Sequence, residues 1–200
     1  LDQQVLQQDG IWRHETMIPK LAQDQTIGIL GLGALGSECA LKLNGMGFNV
    51  LGWSRNQKKI SNIECLTGVS GFNKVLESSD ILVLLLPLTK NTKYILNSKS
   101  LKRIKKGAFI INAGRGLLIN DDALLSSINE GCVTGATLDV FSIEPLPSDH
   151  KFWKHPAITV TPHIAAETRP KTSSASIAEN IYRNENNLGL LNLVDKSEGY

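Results

Sequence analysis

The sequence predicts an α/β fold, a Rossmann-type doubly wound parallel sheet, and three observations carry that prediction. Short apolar runs alternate with stretches of helical pattern from Thr26 to Thr161. Those runs are apolar at successive positions, as in Ile81-Leu82-Val83-Leu84-Leu85-Leu86, which marks parallel strands covered on both faces. The first of them leads directly into Gly31-x-Gly33-x-x-Gly36 and then a helix, the strand–turn–helix setting in which that glycine spacing has a physical reason.

Taken in order, residues Leu1 to Lys20 are Gln-rich and read as the end of a helix and a linker, with no core of their own. The first strand is Ile27–Leu30. The glycines follow it: Gly31 for a sharp turn, Gly33 for close approach of the backbone to a pyrophosphate, Gly36 for close packing of helix on strand. A helix over Ser37–Met46 and a second strand, Phe48–Trp53, are separated by the turn that Gly45 and Gly47 bracket. A short strand at Ile63–Leu66 and a short helix near Phe72–Glu77 come next, before the strand Ile81–Leu86, which Pro87 stops. Helices near Ser98–Ile104 and over Asp121–Glu130 precede strands at Ala108–Asn112 and Gly135–Val140, and Ile158–Thr161 is the last strand, stopped by Pro162. From Glu167 the pattern is helical to about Asn187, with Ile177, Ile181 and Leu188 forming one apolar stripe suited to packing, and the end of the chain reads as extended.

The composition excludes several classes. With 200 residues, 42% hydrophobic, 20% charged and a formal net charge of +2, the chain reads as an ordinary globular protein and not as a nucleic-acid binder. The densest basic cluster, Lys102, Arg103, Lys105 and Lys106 before Gly107, suits a helix C-terminus. Cys39, Cys65 and Cys132 are odd in number and widely spaced, which points to a reducing, cytoplasmic setting without a metal site. No apolar run is long enough to span a bilayer, and no secretory signal opens the sequence.

In open parallel sheets ligands bind beyond the carboxyl ends of the strands. There this chain sets the glycines, Ser54-Arg55, Pro87-Leu88-Thr89, Asn112-Ala113-Gly114-Arg115-Gly116, Asp139 to Glu144, and His163. About 20 residues beyond the glycines, where NAD-binding sites carry an acid on the ribose, stands Trp53-Ser54-Arg55 with Lys58 and Lys59 nearby. A hydroxyl and a guanidinium suit a 2′-phosphate, so NADP(H) is the expected cofactor. Taken singly, His163, Glu144 and Arg115 have plain alternatives: a structural imidazole, a solvated loop carboxylate, a salt-bridging arginine. Converging on one edge, they suit an acid/base histidine, its carboxylate partner and a guanidinium for a substrate carboxylate.

Five ordered motifs then carry a family resemblance. Gly31-x-Gly33-x-x-Gly36, Leu86-Pro87-Leu88 with Thr92, Asn112-x-x-Arg115-Gly116, Asp139-Val140-Phe141-x-x-Glu144-Pro145-Leu146-Pro147 and Thr161-Pro162-His163-Ile164-Ala165 together resemble the D-isomer-specific 2-hydroxyacid dehydrogenases. Trp53-Ser54-Arg55, the run from His163 to Pro170 and the closing Val194 to Tyr200 are similar to the NADPH-dependent glyoxylate/hydroxypyruvate reductase branch. The resemblance implies hydride transfer to a small 2-oxo acid, with Arg115, Glu144 and His163 catalytic. It implies cofactor contacts from Gly31, Gly33, Ala34, Leu35, Gly36, Trp53, Ser54, Arg55, Leu86, Pro87, Leu88, Thr92, Asn112, Ala113, Gly114, Arg115, Asp139, His163 and Ala165, with Asp139 toward the nicotinamide.

The family pattern has a second, substrate-binding domain built mainly from a segment preceding the cofactor domain. The expected division is therefore a linker or remnant over 1–20, a dinucleotide-binding domain over 21–166 and a helix and tail of the substrate domain over 167–200, with roughly 100 residues of that domain outside this sequence. A homodimer is expected through the cofactor domain. A dinucleotide-sensing module that binds protein partners without turnover is the alternative from a different class.

Overall fold

The computed structural model describes residues 9, 10 and 20–194. The expectations for 1–8, 11–19 and the closing residues 195–200 lie outside these. The elements are β1 (Thr26–Leu30), α1 (Ala34–Gly45), β2 (Asn49–Trp53), β3 (Glu64–Leu66), α2 (Gly68–Ser78), β4 (Ile81–Leu84), α3 (Ser98–Leu101), β5 (Ala108–Asn112), α4 (Asp121–Asn129), β6 (Val133–Leu138), β7 (Ile158–Val160) and α5 (Pro170–Glu185). The strands form one parallel sheet in the order β3-β2-β1-β4-β5-β6-β7. The order reverses between β1 and β4, which opens a crevice at the end of β1, where the glycines lie.

Two apolar layers enclose the sheet. On one face Ile27 and Ile29 of β1 pack with Ala40 of α1 and Val50 of β2. On the other, Leu30, Leu82, Leu84 and Ile110 pack with Val75 and Leu76 of α2 and with Ala123 and Leu124 of α4. Gly28 is required here because a Cβ would sit 2.0 Å from Ser79 Oγ, so α2 rides close over β1. Side chains such as Ile29, Leu30 and Leu82 are fully buried, each contributing about 1.5–3 kcal/mol.

Several boundaries differ from the sequence reading, each for a local reason. Helix α1 starts at Ala34, not Ser37, because Gly33 itself is the N-cap and the helix begins inside the glycine loop. Phe48 is left out of β2 because its N–H still bonds back to Leu43 O at the end of α1. Helix α2 runs from Gly68, which takes φ +66° directly after an extended N-cap, Thr67. Strand β4 ends at Leu84, so Leu85 and Leu86 belong to the loop that leaves the sheet. Strand β6 begins two residues earlier than expected, at Val133, and ends before Asp139, whose side chain is drawn away into the site.

Helix α3 stops at Leu101 with Lys102 as its C-cap, so the rest of the basic cluster and Gly107 lie beyond the helix end. Arg103 pairs with Glu77 at 3.1 Å and Lys105 with Asp80 at 2.9 Å. Asp80, at the amino end of β4, also receives the Thr26 N–H at 3.0 Å and Lys20 Nζ at 3.2 Å, which ties β1, β4 and the approach to β5 together. Burial by itself would raise its pKa; the Thr26 N–H, Lys105 and Lys20 outweigh that and hold it at about 2.

Helix α5 spans Pro170–Glu185 with Pro170 in its first turn and no buried side chain. The expected stripe is present but does not pack on the sheet: Ile177 and Ile181 are 60% and 55% exposed. The tail is also not simply extended. Asn180 donates to Leu191 O and accepts from Leu191 N, and Arg183 donates to Gly189 O, so the tail is strapped back along the helix. None of the helices among the described residues is long and apolar enough to cross a membrane, and no cluster of metal-binding side chains forms among them.

Candidate active site

The carboxyl edge of the sheet is built first from the glycine loop. Gly31 takes φ +109°, and a Cβ there would lie 2.7 Å from Leu85 O; a Cβ on Gly36 would lie 1.8 Å from Gly31 O. Both are therefore demanded by the chain itself. Gly33 is different: it is exposed, its φ of −74° suits any residue, and a Cβ there meets nothing within 4 Å. The space beside it is open, and α1 begins there without a side-chain cap. Exposed Ala34 and Leu35 stand in that first turn, beside buried Gly36. An open cradle against an uncapped helix N-terminus fits the pyrophosphate of a dinucleotide.

At the end of β5, Asn112 is 1% exposed and its side chain is spent on the turn that follows: Oδ1 accepts from Gly114 N at 3.1 Å and Nδ2 donates to Arg115 O at 3.0 Å. Ala113 N bonds Leu84 O at 3.3 Å, which ties this turn to the end of β4. Arg115 reaches the surface, its Nη1 donating to Gly114 O at 2.7 Å. Gly116 allows this loop to lie against the one after β6, since a Cβ would sit 1.9 Å from the Phe141 carbonyl carbon.

After β6, Asp139 is 4% exposed and gathers the turn beyond β7: Oδ1 accepts from the Thr161 hydroxyl and from Ile164 N at 3.0 Å, and Oδ2 from Ala165 N at 2.9 Å. Burial would raise its pKa, but these hydrogen bonds and the nearby His163 bring it below the usual carboxylate range. Within that turn His163 adopts φ +55°, a left-handed conformation that costs a non-glycine residue about 1–2 kcal/mol. Its Nδ1 lies 2.7 Å from Glu144 Oε2, while Glu144 Oε1 accepts from Phe141 N at 2.9 Å. Burial again opposes ionisation of Glu144, and His163, the Phe141 N–H and the charge of Arg115 together lower its pKa. The three residues proposed from the sequence as catalytic thus form one electrostatic group.

The remaining expected positions frame the crevice. Trp53 Nε1 donates to Gly68 O at 2.8 Å and its ring meets Phe72 edge-on at 5.3 Å, so its side chain serves the β2–α2 junction. Ser54 is buried and donates to Asn56 O, and Arg55 is exposed beside it. Buried Leu86 leads to Pro87 and half-exposed Leu88, and Thr92 donates to Pro87 O at 2.7 Å, closing that loop. Thr161 was quoted from the sequence only as part of the His163 motif, with no role of its own; a hydroxyl at the end of a strand adjacent to one that ends in a carboxylate is the signal that could have found one.

A family profile described as "D-isomer specific 2-hydroxyacid dehydrogenase, NAD binding domain" matches residues 1–165. The chain is 42% identical over 197 residues to the glyoxylate/hydroxypyruvate reductase A of Serratia proteamaculans, covering 98% of this chain and 62% of that protein. It is 40% identical over 200 residues to the enzyme of that name from Photorhabdus laumondii. It therefore spans somewhat less than two thirds of the length of these curated relatives. Among solved structures, a D-isomer specific 2-hydroxyacid dehydrogenase of Xanthobacter autotrophicus Py2 in complex with NADPH and MES superposes with a TM-score of 0.93 at 38% identity, over 100% of this chain and 81% of that one. An NADPH-dependent glyoxylate/hydroxypyruvate reductase of Sinorhizobium meliloti, in complex with NADP and sulfate, matches with a TM-score of 0.93 at 36% identity, over 100% of this chain and 64% of that one. Sequence motifs, sheet order and the arrangement of the edge agree with these likenesses: the chain belongs to the D-isomer-specific 2-hydroxyacid dehydrogenase family and carries its NAD-binding domain.

Proposed function

We propose that this chain acts in the NADPH-dependent reduction of small 2-oxo acids, with glyoxylate and hydroxypyruvate as substrates, to the corresponding 2-hydroxy acids. The observation that carries this reading is the His163–Glu144 pair at 2.7 Å, within the field of Arg115 and on the edge that holds the glycine loop. Bound there, the reduced nicotinamide supplies the hydride. Arg115 pairs with the substrate carboxylate and polarises the keto group. With Nδ1 engaged by Glu144, His163 has Nε2 left to hand a proton to the keto oxygen, and ionised Glu144 stabilises the imidazolium that makes this transfer. Atoms balance as 2-oxo acid, NADPH and one proton going to 2-hydroxy acid and NADP+.

Arg55, with Lys58 and Lys59 close in sequence, supports the 2′-phosphate reading, as does binding of NADP(H) by the Xanthobacter and Sinorhizobium proteins. We also infer that 21–166 is the cofactor domain and that α5 with its strapped tail belongs to the substrate lobe. The family profile covers residues 1–165, which supports the upper bound and includes 1–20 as well, and α5 buries no side chain against the sheet. A homodimer and a cytoplasmic setting complete the reading, the latter supported by three unpaired cysteines.

The test is a paired titration with NADPH and NADH followed by tryptophan fluorescence, with glyoxylate or hydroxypyruvate then added. Tight NADPH binding and weak NADH binding are expected, and consumption of NADPH shows that this chain keeps a working cleft. Binding without consumption leaves a cofactor domain missing its partner lobe, and absence of binding overturns the cofactor reading.

A further inference from the structure

We propose that Asp139 is the positioning residue for His163: its buried carboxylate gathers the turn after β7 and so holds the imidazole against Glu144. The inference rests on the reading of His163 as proton donor, and it goes beyond a contact between Asp139 and the nicotinamide.

The argument is one of donor and acceptor counting. Three donors converge on the two oxygens of Asp139: the Thr161 hydroxyl and Ile164 N–H on Oδ1, and Ala165 N–H on Oδ2. Two of those donors are backbone groups on the two residues that follow His163, and the third is two residues before it. Asp139 is itself fixed, because it is 4% exposed and its N–H bonds Asn112 O at 3.0 Å across the β5–β6 ladder. The turn it holds is an unfavourable one, with His163 at φ +55°. A left-handed imidazole-bearing residue persists where the surroundings over-determine it, and here the carboxylate does so from both sides.

Asparagine cannot replace this carboxylate. An amide has one acceptor oxygen and one NH2, so either orientation sets an amino group against a backbone N–H that can only donate. Asp139→Asn therefore leaves Ile164 N–H or Ala165 N–H without its acceptor in a part-buried place, and the turn relaxes away from Glu144.

The test uses the full chain, labelled with nitrogen-15. In Asp139→Asn, amide exchange at Ile164 or Ala165 should speed up about tenfold or more, the factor that loss of one hydrogen bond to a charged group gives. The low-field Nδ1 proton resonance of His163, the signature of its bond to Glu144, should be lost, while exchange at Gly114, held by Asn112, stays as in the wild type. Thr161→Val should weaken the signature and Thr161→Ser should restore it. Unchanged exchange at both amides with an intact His163 signature in Asp139→Asn overturns the proposal. So does general loosening of Asp139→Asn combined with an unaltered signature in Thr161→Val. Failure of the reductase reading is a separate outcome, an intact signature in a wild-type chain that binds no NADPH.

Discussion

Gly33→Ala and Gly36→Ala separate what the fold requires of the glycine loop from what a dinucleotide requires. At Gly36 a methyl group would lie 1.8 Å from Gly31 O, a backbone atom that cannot swing aside, so α1 must move off β1. Overpacking of this kind costs about 1–3 kcal/mol or more. At Gly33 the methyl meets nothing within 4 Å and the backbone is already acceptable for alanine. Loss of glycine's freedom in the unfolded chain gains about 0.4–1 kcal/mol, and the poorer N-cap offsets a similar amount, about 0.5–1 kcal/mol. Gly33→Ala should accordingly unfold within about 1 kcal/mol of the wild type, by these two terms. If the backbone must touch a pyrophosphate at that point, the same variant should bind NADPH at least about tenfold more weakly, equal to about 1.4 kcal/mol. Thermal unfolding without ligand and fluorescence titration with NADPH read the two effects. A Gly33→Ala chain that binds NADPH as the wild type does would refute the cradle, and one that loses stability as Gly36→Ala does would refute the claim that the space is open.

Three further outcomes follow from the geometry. Arg55→Ala should weaken NADPH binding by about one to two orders of magnitude, as loss of a charged contact of about 1.5–3 kcal/mol implies, and leave NADH binding little changed; equal losses for both cofactors would remove the 2′-phosphate role. His163→Ala should nearly abolish turnover and spare NADPH binding, so loss of binding in that variant would count against its role as proton donor. Asp80 gives the pH prediction: its pKa is lowered from 3.8 to about 2 in the folded chain, so its contribution of about 2 kcal/mol is present above the unfolded value and lost as pH falls through that interval. Urea unfolding of wild type and Asp80→Asn should differ by about that amount near neutrality and converge in acid; a difference that persists at about pH 2 would contradict the pairing with Lys105 and Lys20.

Strand identity was legible because β1, β4 and β5 are buried on both faces and must be apolar throughout, which few other elements are. That Arg115, Glu144 and His163 gather on one edge was legible for a topological reason, since any parallel sheet brings the residues after its strands there. Element ends were less so. Where β6 starts depends on the turn at Gly131, φ +73°, and where α1 starts depends on Gly33 acting as its cap. Least legible was how polar side chains are consumed. Asn112 and Asp139 read as ligand contacts, and each is also committed to a turn, Asn112 to the one just after it and Asp139 to one across the sheet. The commitment of Asp139 depends on pairing between β6 and β7, which no local pattern around it announces.

The sheet order also divides the edge by task. The glycine loop, Arg55 and Pro87 follow β1, β2 and β4, whereas Arg115, Glu144 and His163 follow β5, β6 and β7. The two groups are joined through adjacent strands: Ala113 N bonds Leu84 O, and Asp139 N bonds Asn112 O. On the roles proposed above, a change on the β1–β2 side should therefore alter cofactor affinity without moving the imidazole, and a change at His163 should stop proton transfer without disturbing the glycine loop. Asn112 and Asp139 sit at the joints, each fixed to its neighbour through the backbone and each using its side chain to aim one of the two charged groups. On that reading, substitutions there should affect turnover more than affinity.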